Sequence, residues 1–157
     1  MESIMSLQYD MVRHSRDVLL LYCDTVSPAD FLVENSSFGR ESMRNLLVHI
    51  GNTYEFWLGN QGLQKKDIPF TAYGAVSNVG ECRAFFRRID ALMTEFITFF
   101  AKNYLDYIHV ELNGASTKAT PLKLFTHTIT HEFHHKGQIL SLSRHLGYTP
   151  VDTDILR

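Results

Sequence analysis

Four stretches of about 20 residues carry apolar side chains at three- and four-residue steps, the spacing that gives one face of a helix to a core. The first runs over residues 4–26, with Leu7, Met11, His14 or Ser15, Val18, Leu21 or Tyr22 and Thr25 in step. It stops at Ser27-Pro28, because proline disfavours helical backbone at the residue before it. The second covers residues 39–58, with Ser36 or Ser37 as its cap and Met43, Leu46, Leu47, Ile50, Tyr54 and Trp57 as its apolar side. Gly59, Asn60 and Gly62 end it. The third covers residues 79–102 behind the cap Asn78, and its apolar face is Cys82, Phe85, Phe86, Ile89, Leu92, Met93, Phe96, Ile97 and Phe100. The fourth has the clearest limits: Thr120 caps it, Pro121 occupies its first turn, and Gly147 follows His145-Leu146 as its stop.

Residues 61–78 read as a loop holding Pro69 and Gly74. Ile108, Val110 and Leu112 alternate ahead of Asn113-Gly114, a turn pair that predicts a short hairpin before the last helix. The pattern predicts an all-α four-helix bundle forming a single domain over residues 1–157.

A chain of 157 residues buries about two-thirds of its unfolded surface, so it needs no disulfide or structural metal to hold a core. Cys23 and Cys82 are too few for a disulfide framework and too far apart for a cysteine-rich metal site, and both are expected to pack as small apolar residues. Fifteen Lys and Arg against seventeen Asp and Glu leave a net charge of −2, which gives no basis for a nucleic-acid or anionic-membrane surface. No apolar run reaches the roughly 18 residues of a bilayer span, and no export signal is read at the N-terminus, so the expected compartment is the cytoplasm.

Histidine is where the sequence becomes specific: five of the eight histidines lie between positions 127 and 145. At about 100° per residue, His131 and His135 differ by only about 40° and share one helix face a turn apart. Both can reach one divalent cation at about 2.0–2.1 Å. Two ligands rarely hold a catalytic metal, and His49, mid-helix among Leu46, Leu47, Ile50 and Thr53, is the expected third. His127, one turn before His131, is the alternative.

The string His131-Glu132-Phe133-His134-His135 also matches the zinc-protease pattern H-E-x-x-H. No glutamate follows Glu132 to serve as a third ligand, and Gln138 and Ser141 stand where the metzincin extension needs glycine and histidine. Glu132-x-x-His135 is half of a di-iron motif whose second copy is missing. Thr128 and Gln138 flank the histidine midline, while Leu124 and Leu142 fall on it as core residues. Glu132 and His134 sit about 80° off the midline and are expected on solvated flanks.

With Leu46-Leu47-Val48-His49 followed by Tyr54 and Trp57, and with His131-x3-His135-Lys136-Gly137-Gln138, the chain resembles the DinB/YfiT-like superfamily of metal-dependent four-helix proteins. Its tail, Leu146-Gly147-Tyr148-Thr149-Pro150 and then Asp154, resembles the family's ending. The resemblance implies an up-up-down-down bundle, often a homodimer, with one divalent ion held by His49, His131 and His135. Relatives include low-molecular-weight-thiol S-transferases, thiol-dependent isomerases and hydrolases. Lys136 stands where such proteins commonly carry arginine.

Three neutral imidazoles with open positions make a catalytic rather than a closed structural site. The expectation is therefore a zinc or nickel centre that activates a small thiol for S-transfer, or water for hydrolysis, on a small-molecule substrate. Gln138, Tyr54 and Trp57 are the expected cofactor-binding residues. Two other readings stand beside it: a non-catalytic bundle whose metal ties two helices together, and histidines that are hydrogen-bonded core groups without metal.

Overall fold

The computed structural model describes residues 3–157. It is mostly helical, with a single two-stranded sheet among the described residues. Helix α1 spans Ile4–Cys23, and its cap Ser3 accepts a hydrogen bond from the Ser6 amide. A short helix, α2, spans Pro28–Leu32 and buries Phe31. Helix α3 spans Met43–Tyr54 and runs on without a break as a π-helical segment, Glu55–Gly62. A single 3₁₀ turn at Tyr73–Ala75 leads to α4, Val79–Phe99. Strands β1, Ile108–Leu112, and β2, Ala115–Ala119, form an antiparallel hairpin in which Val110 faces Thr117. Helix α5 spans Pro121–His145, capped by Thr120.

The local signals explain most of these limits. Asn78 and Thr120 each accept a backbone amide from three residues on, as an N-cap does. Asn113 at φ 52° and Gly114 at φ 77° give the left-handed pair of a two-residue hairpin turn. Gly147, at φ 96°, ends α5.

Several expected limits are corrected. The second helix begins at Met43, not near position 39, because Ser42 rather than Ser36 or Ser37 caps it, accepting from the Asn45 amide at 3.0 Å. Just before it, Arg40 and Glu41 both take positive φ, at 66° and 70°, which no helix allows. The first helix ends at Cys23 and the third at Phe99, and α2 follows the stop at Ser27-Pro28. The second helical stretch ends near Gly62 as the glycines suggest, but through a π turn.

Helix α1 also buries a different stripe from the one expected. Leu7, Met11 and Leu21 are exposed, while Met5, Tyr9, Val12, Arg16, Leu19 and Cys23 face inward; of the paired alternatives, Ser15 and Tyr22 are the buried members. The α4 face is as read, with Cys82 through Phe100 buried. The four long helices pack as neighbours in the order α1–α4–α3–α5 and back to α1. No helix among the described residues is long and apolar enough to cross a membrane.

Candidate metal centre

Helices α3 and α5 pack directly on each other, and His49 meets His131 and His135 across that contact. The candidate ligand atoms of the three all lie within 4.8 Å of one another. Ring centroids stand 5.0 Å apart for His49 and His131, 4.7 Å for His49 and His135, and 4.3 Å for His131 and His135. The Nε2 atoms of His131 and His135 are 3.1 Å apart. Two ligands of one ion at about 2.0–2.1 Å each stand roughly 3 Å apart, so this spacing is that of a chelating pair.

Gln138 sets the tautomer. His135 Nδ1 is 2.6 Å from Gln138 Oε1, an amide oxygen that can only accept, so Nδ1 carries the proton and Nε2 presents a lone pair toward His131. The amide nitrogen of Gln138 is turned to His134 Nε2 at 3.3 Å. His131 Nδ1 is buried without any partner. If Nδ1 carries the proton of His131, two lone pairs face each other at 3.1 Å; if Nε2 carries it, a buried acceptor is orphaned. A cation between the rings removes the clash of lone pairs, with the His131 proton then on Nδ1, so the two facing Nε2 atoms fit a metal ion.

The electrostatics favour neutral rings. Burial, followed by the charges of Arg40 and His135, holds His49 down at about 4. Burial and the neighbouring histidines hold His131 at about 3. His135 is lowered too, again chiefly by burial. Imidazoles must be deprotonated to ligate, and these resist protonation more than free histidine does.

Beneath the centre lies a cluster that the sequence reading missed. Glu132 is wholly buried, not on a solvated flank. It accepts hydrogen bonds from Arg16 Nε at 3.0 Å, Arg16 Nη2 at 2.9 Å and the Tyr54 hydroxyl at 2.7 Å, with Lys136 Nζ at 3.1 Å. Burial alone would raise its pKa, but the charges of Arg16 and Lys136 and the hydrogen bonds outweigh that and hold it at about 2. Arg16 spans on to Asp90 at 2.8 Å, and Tyr9 bridges the same two residues. Glu132 is thus committed to the face of α5 turned to α1, and cannot serve as the base of a zinc-protease site. Its distant partner Arg16 leaves no mark in the local pattern around Glu132.

The remaining expected residues fall in different places. Tyr54 is fully buried, with its hydroxyl on Glu132. Trp57 is half-buried and meets His127 edge-on at 5.3 Å. Trp57 and His127 line a cleft of about 260 Å³ between the hairpin and α5, and Tyr54 does not reach it. His127 stands 5.7 Å from His131 and lies outside the three-histidine group. Among the described residues no cysteine, aspartate or glutamate completes that group. Cys23 and Cys82 are buried and unbridged.

The sequence profile of the DinB family matches residues 1–157, the whole length of the chain. The chain belongs to the DinB family. A search of curated proteins finds no match. In this DinB-family chain the histidine on α3 and the pair on α5 are positioned to bind a metal ion.

Proposed function

We propose that this DinB-family chain is a metal-dependent enzyme in which His49, His131 and His135 hold one divalent transition-metal ion, zinc or nickel, and act on a small-molecule substrate by thiol S-transfer or hydrolysis. One observation carries the reading: two Nε2 atoms 3.1 Å apart, with a third imidazole packed against both rings. Three imidazoles with no fourth protein ligand leave positions open, the pattern of a catalytic site, and nitrogen donors suit these metals. When bound, the ion supplies the Lewis acidity that lowers the pKa of a low-molecular-weight thiol or of water.

The chain's own part is preorganisation. Gln138 fixes the His135 tautomer and ring angle, as outer partners of ligating histidines do. Tyr54 ties α3 to α5 through Glu132 below the centre, and Trp57 walls the neighbouring cleft. The helix neighbours α1–α4–α3–α5 support an up-up-down-down bundle forming one domain, and the same reading takes the working form as a homodimer, which light scattering measures.

Elemental analysis of protein purified without a histidine tag tests the metal directly. About one transition-metal ion per chain is expected, and His131→Ala should lose it. A panel of thiols with an electrophilic acceptor, run with and without chelator, then tests the chemistry. Chain that neither retains nor takes up an ion overturns the proposal. A bound ion with no chelator-sensitive turnover leaves it as a tie between α3 and α5.

A further inference from the structure

We infer that the cleft between the hairpin and α5 is the substrate site of the histidine centre, and that it takes an elongated apolar molecule ending in a carboxylate, anchored by Lys123. This rests on the reading of the three histidines as the place of chemistry.

Lys123, His127, His131 and His135 follow one another at four-residue steps on α5 and so form one ridge. Ring centroids along it stand 5.7 Å apart for His127 and His131, then 4.3 Å for His131 and His135. The cleft of about 260 Å³ opens beside the start of this ridge, with Lys123 and His127 on one side and Trp57, Val110 and Leu112 on the other. Of its lining residues His127 stands next to the centre, its ring 5.7 Å from that of His131. Its walls are mostly hydrocarbon with a few polar groups, the makeup of a small-molecule site, and no carboxylate lines it.

Lys123 is the cation of this cleft. The lysine ion pairs of the described residues are Lys65 with Glu95 and Lys136 with Glu132, and none involves Lys123. It sits in the first turn of α5, where the helix dipole disfavours a positive charge, so local helix preference does not account for it. Lys118 borders the cleft too, but strand alternation turns it to the opposite face from Thr117, which pairs with Val110 on the cleft side. Lys123 and His131 are eight residues apart, about 12 Å along the helix axis. A molecule held by its carboxylate at Lys123 must therefore be long to present its reactive end at His131, and apolar to lie against Trp57 and Leu112.

Trp57 is the one tryptophan of the chain, so its emission reports occupancy of the cleft. The test titrates full-length, metal-stripped protein at low salt with 6-phenylhexanoate, the neutral 6-phenylhexanamide and the cationic 6-phenylhexylamine. The carboxylate should bind about tenfold more tightly than the amide, and the amine more weakly than either. In Lys123→Ala, an exposed position whose change spares the core, the carboxylate should fall to within about twofold of the amide while the amide itself is unchanged. Equal binding of carboxylate and amide to wild type, a preference that survives Lys123→Ala, or no Trp57 response to any probe overturns the inference. The metal analysis is read separately. Carboxylate preference in a chain that holds no ion supports the pocket and overturns only the metal reading, while a metal-loaded chain whose Trp57 stays silent does the reverse.

Discussion

Replacing Glu132 by glutamine takes one charge out of a cluster that solvent does not reach. In wild type two cations, Arg16 and Lys136, are balanced by Glu132 and Asp90. In Glu132→Gln, Arg16 keeps Asp90 as its one anionic partner, with a side chain 26% exposed, and Lys136 keeps no anion, only Ser15 Oγ at 2.9 Å and the Val12 carbonyl at 3.4 Å. Breaking a buried pair from one side costs about 3–5 kcal/mol. The carboxyl is held below its ordinary range by Arg16, Lys136 and the hydrogen bonds despite its burial, so the charged form is the one the fold stabilises. For a chain of this length each kcal/mol moves Tm by about 2–4 °C, so a drop of roughly 6–20 °C is expected by calorimetry or thermal circular dichroism at pH 7. The acid limb provides a second readout. Arg16, Lys136 and Tyr54 face the carboxylate, with Tyr9 and Asp90 beyond them. Because the folded value lies below the unfolded one, this contribution is complete above about 4.5 and disappears as pH falls through about 2. Urea midpoints of the variant should therefore fall less steeply than wild type across that window. A stability loss below about 1 kcal/mol at pH 7, or an unchanged acid limb, would refute the reasoning.

Further outcomes follow from other contacts. Gln138→Leu should weaken metal binding about 10–100-fold in a chelator competition while leaving the unfolding midpoint of metal-free protein unchanged. Gly51→Ala should cost about 1–3 kcal/mol in urea denaturation, although alanine is the better helix former, because the new Cβ runs into the Phe85 ring where α3 meets α4. Arg83→Ala should cost no more than about 1 kcal/mol despite two hydrogen bonds to Asp24, since the pair lies at the surface, Arg83 about a third exposed and Asp24 more so.

The sequence shows an element when the signals for it are local. The caps Asn78 and Thr120, the Asn113-Gly114 turn and the unbroken α4 row each act within a few residues, and the structure has them where they are read. The His131 and His135 pair is legible for the same reason, being set by helix geometry alone. What was misread depends on partners far along the chain. Helix α1 offers two stripes, and the one turned inward, with Met5, Val12, Leu19 and Cys23, also brings Arg16 and Tyr9 to Glu132 and Asp90, partners no local pattern shows. The π turn after Tyr54 ends with Gly62 against the Phe96 ring, a close approach that no local pattern announces.

The same partners link the two rows of α5. Glu132 and Lys136 form a four-residue pair one position after His131 and His135, so the two rows differ by about 100° around one axis. Arg16 and Tyr54 hold the first row against α1 and α3, and that choice of rotation leaves the histidine row facing His49. A rotation of α5 large enough to bring Glu132 to solvent would carry His131 away from His49. The charged cluster therefore does more than stabilise a core: it fixes the angle at which α5 presents its histidines. Glu132→Gln should accordingly lower metal affinity together with stability, whereas Gln138→Leu lowers affinity alone. If the two variants proved alike in both measurements, the helix would owe its rotation to apolar packing rather than to the buried charges.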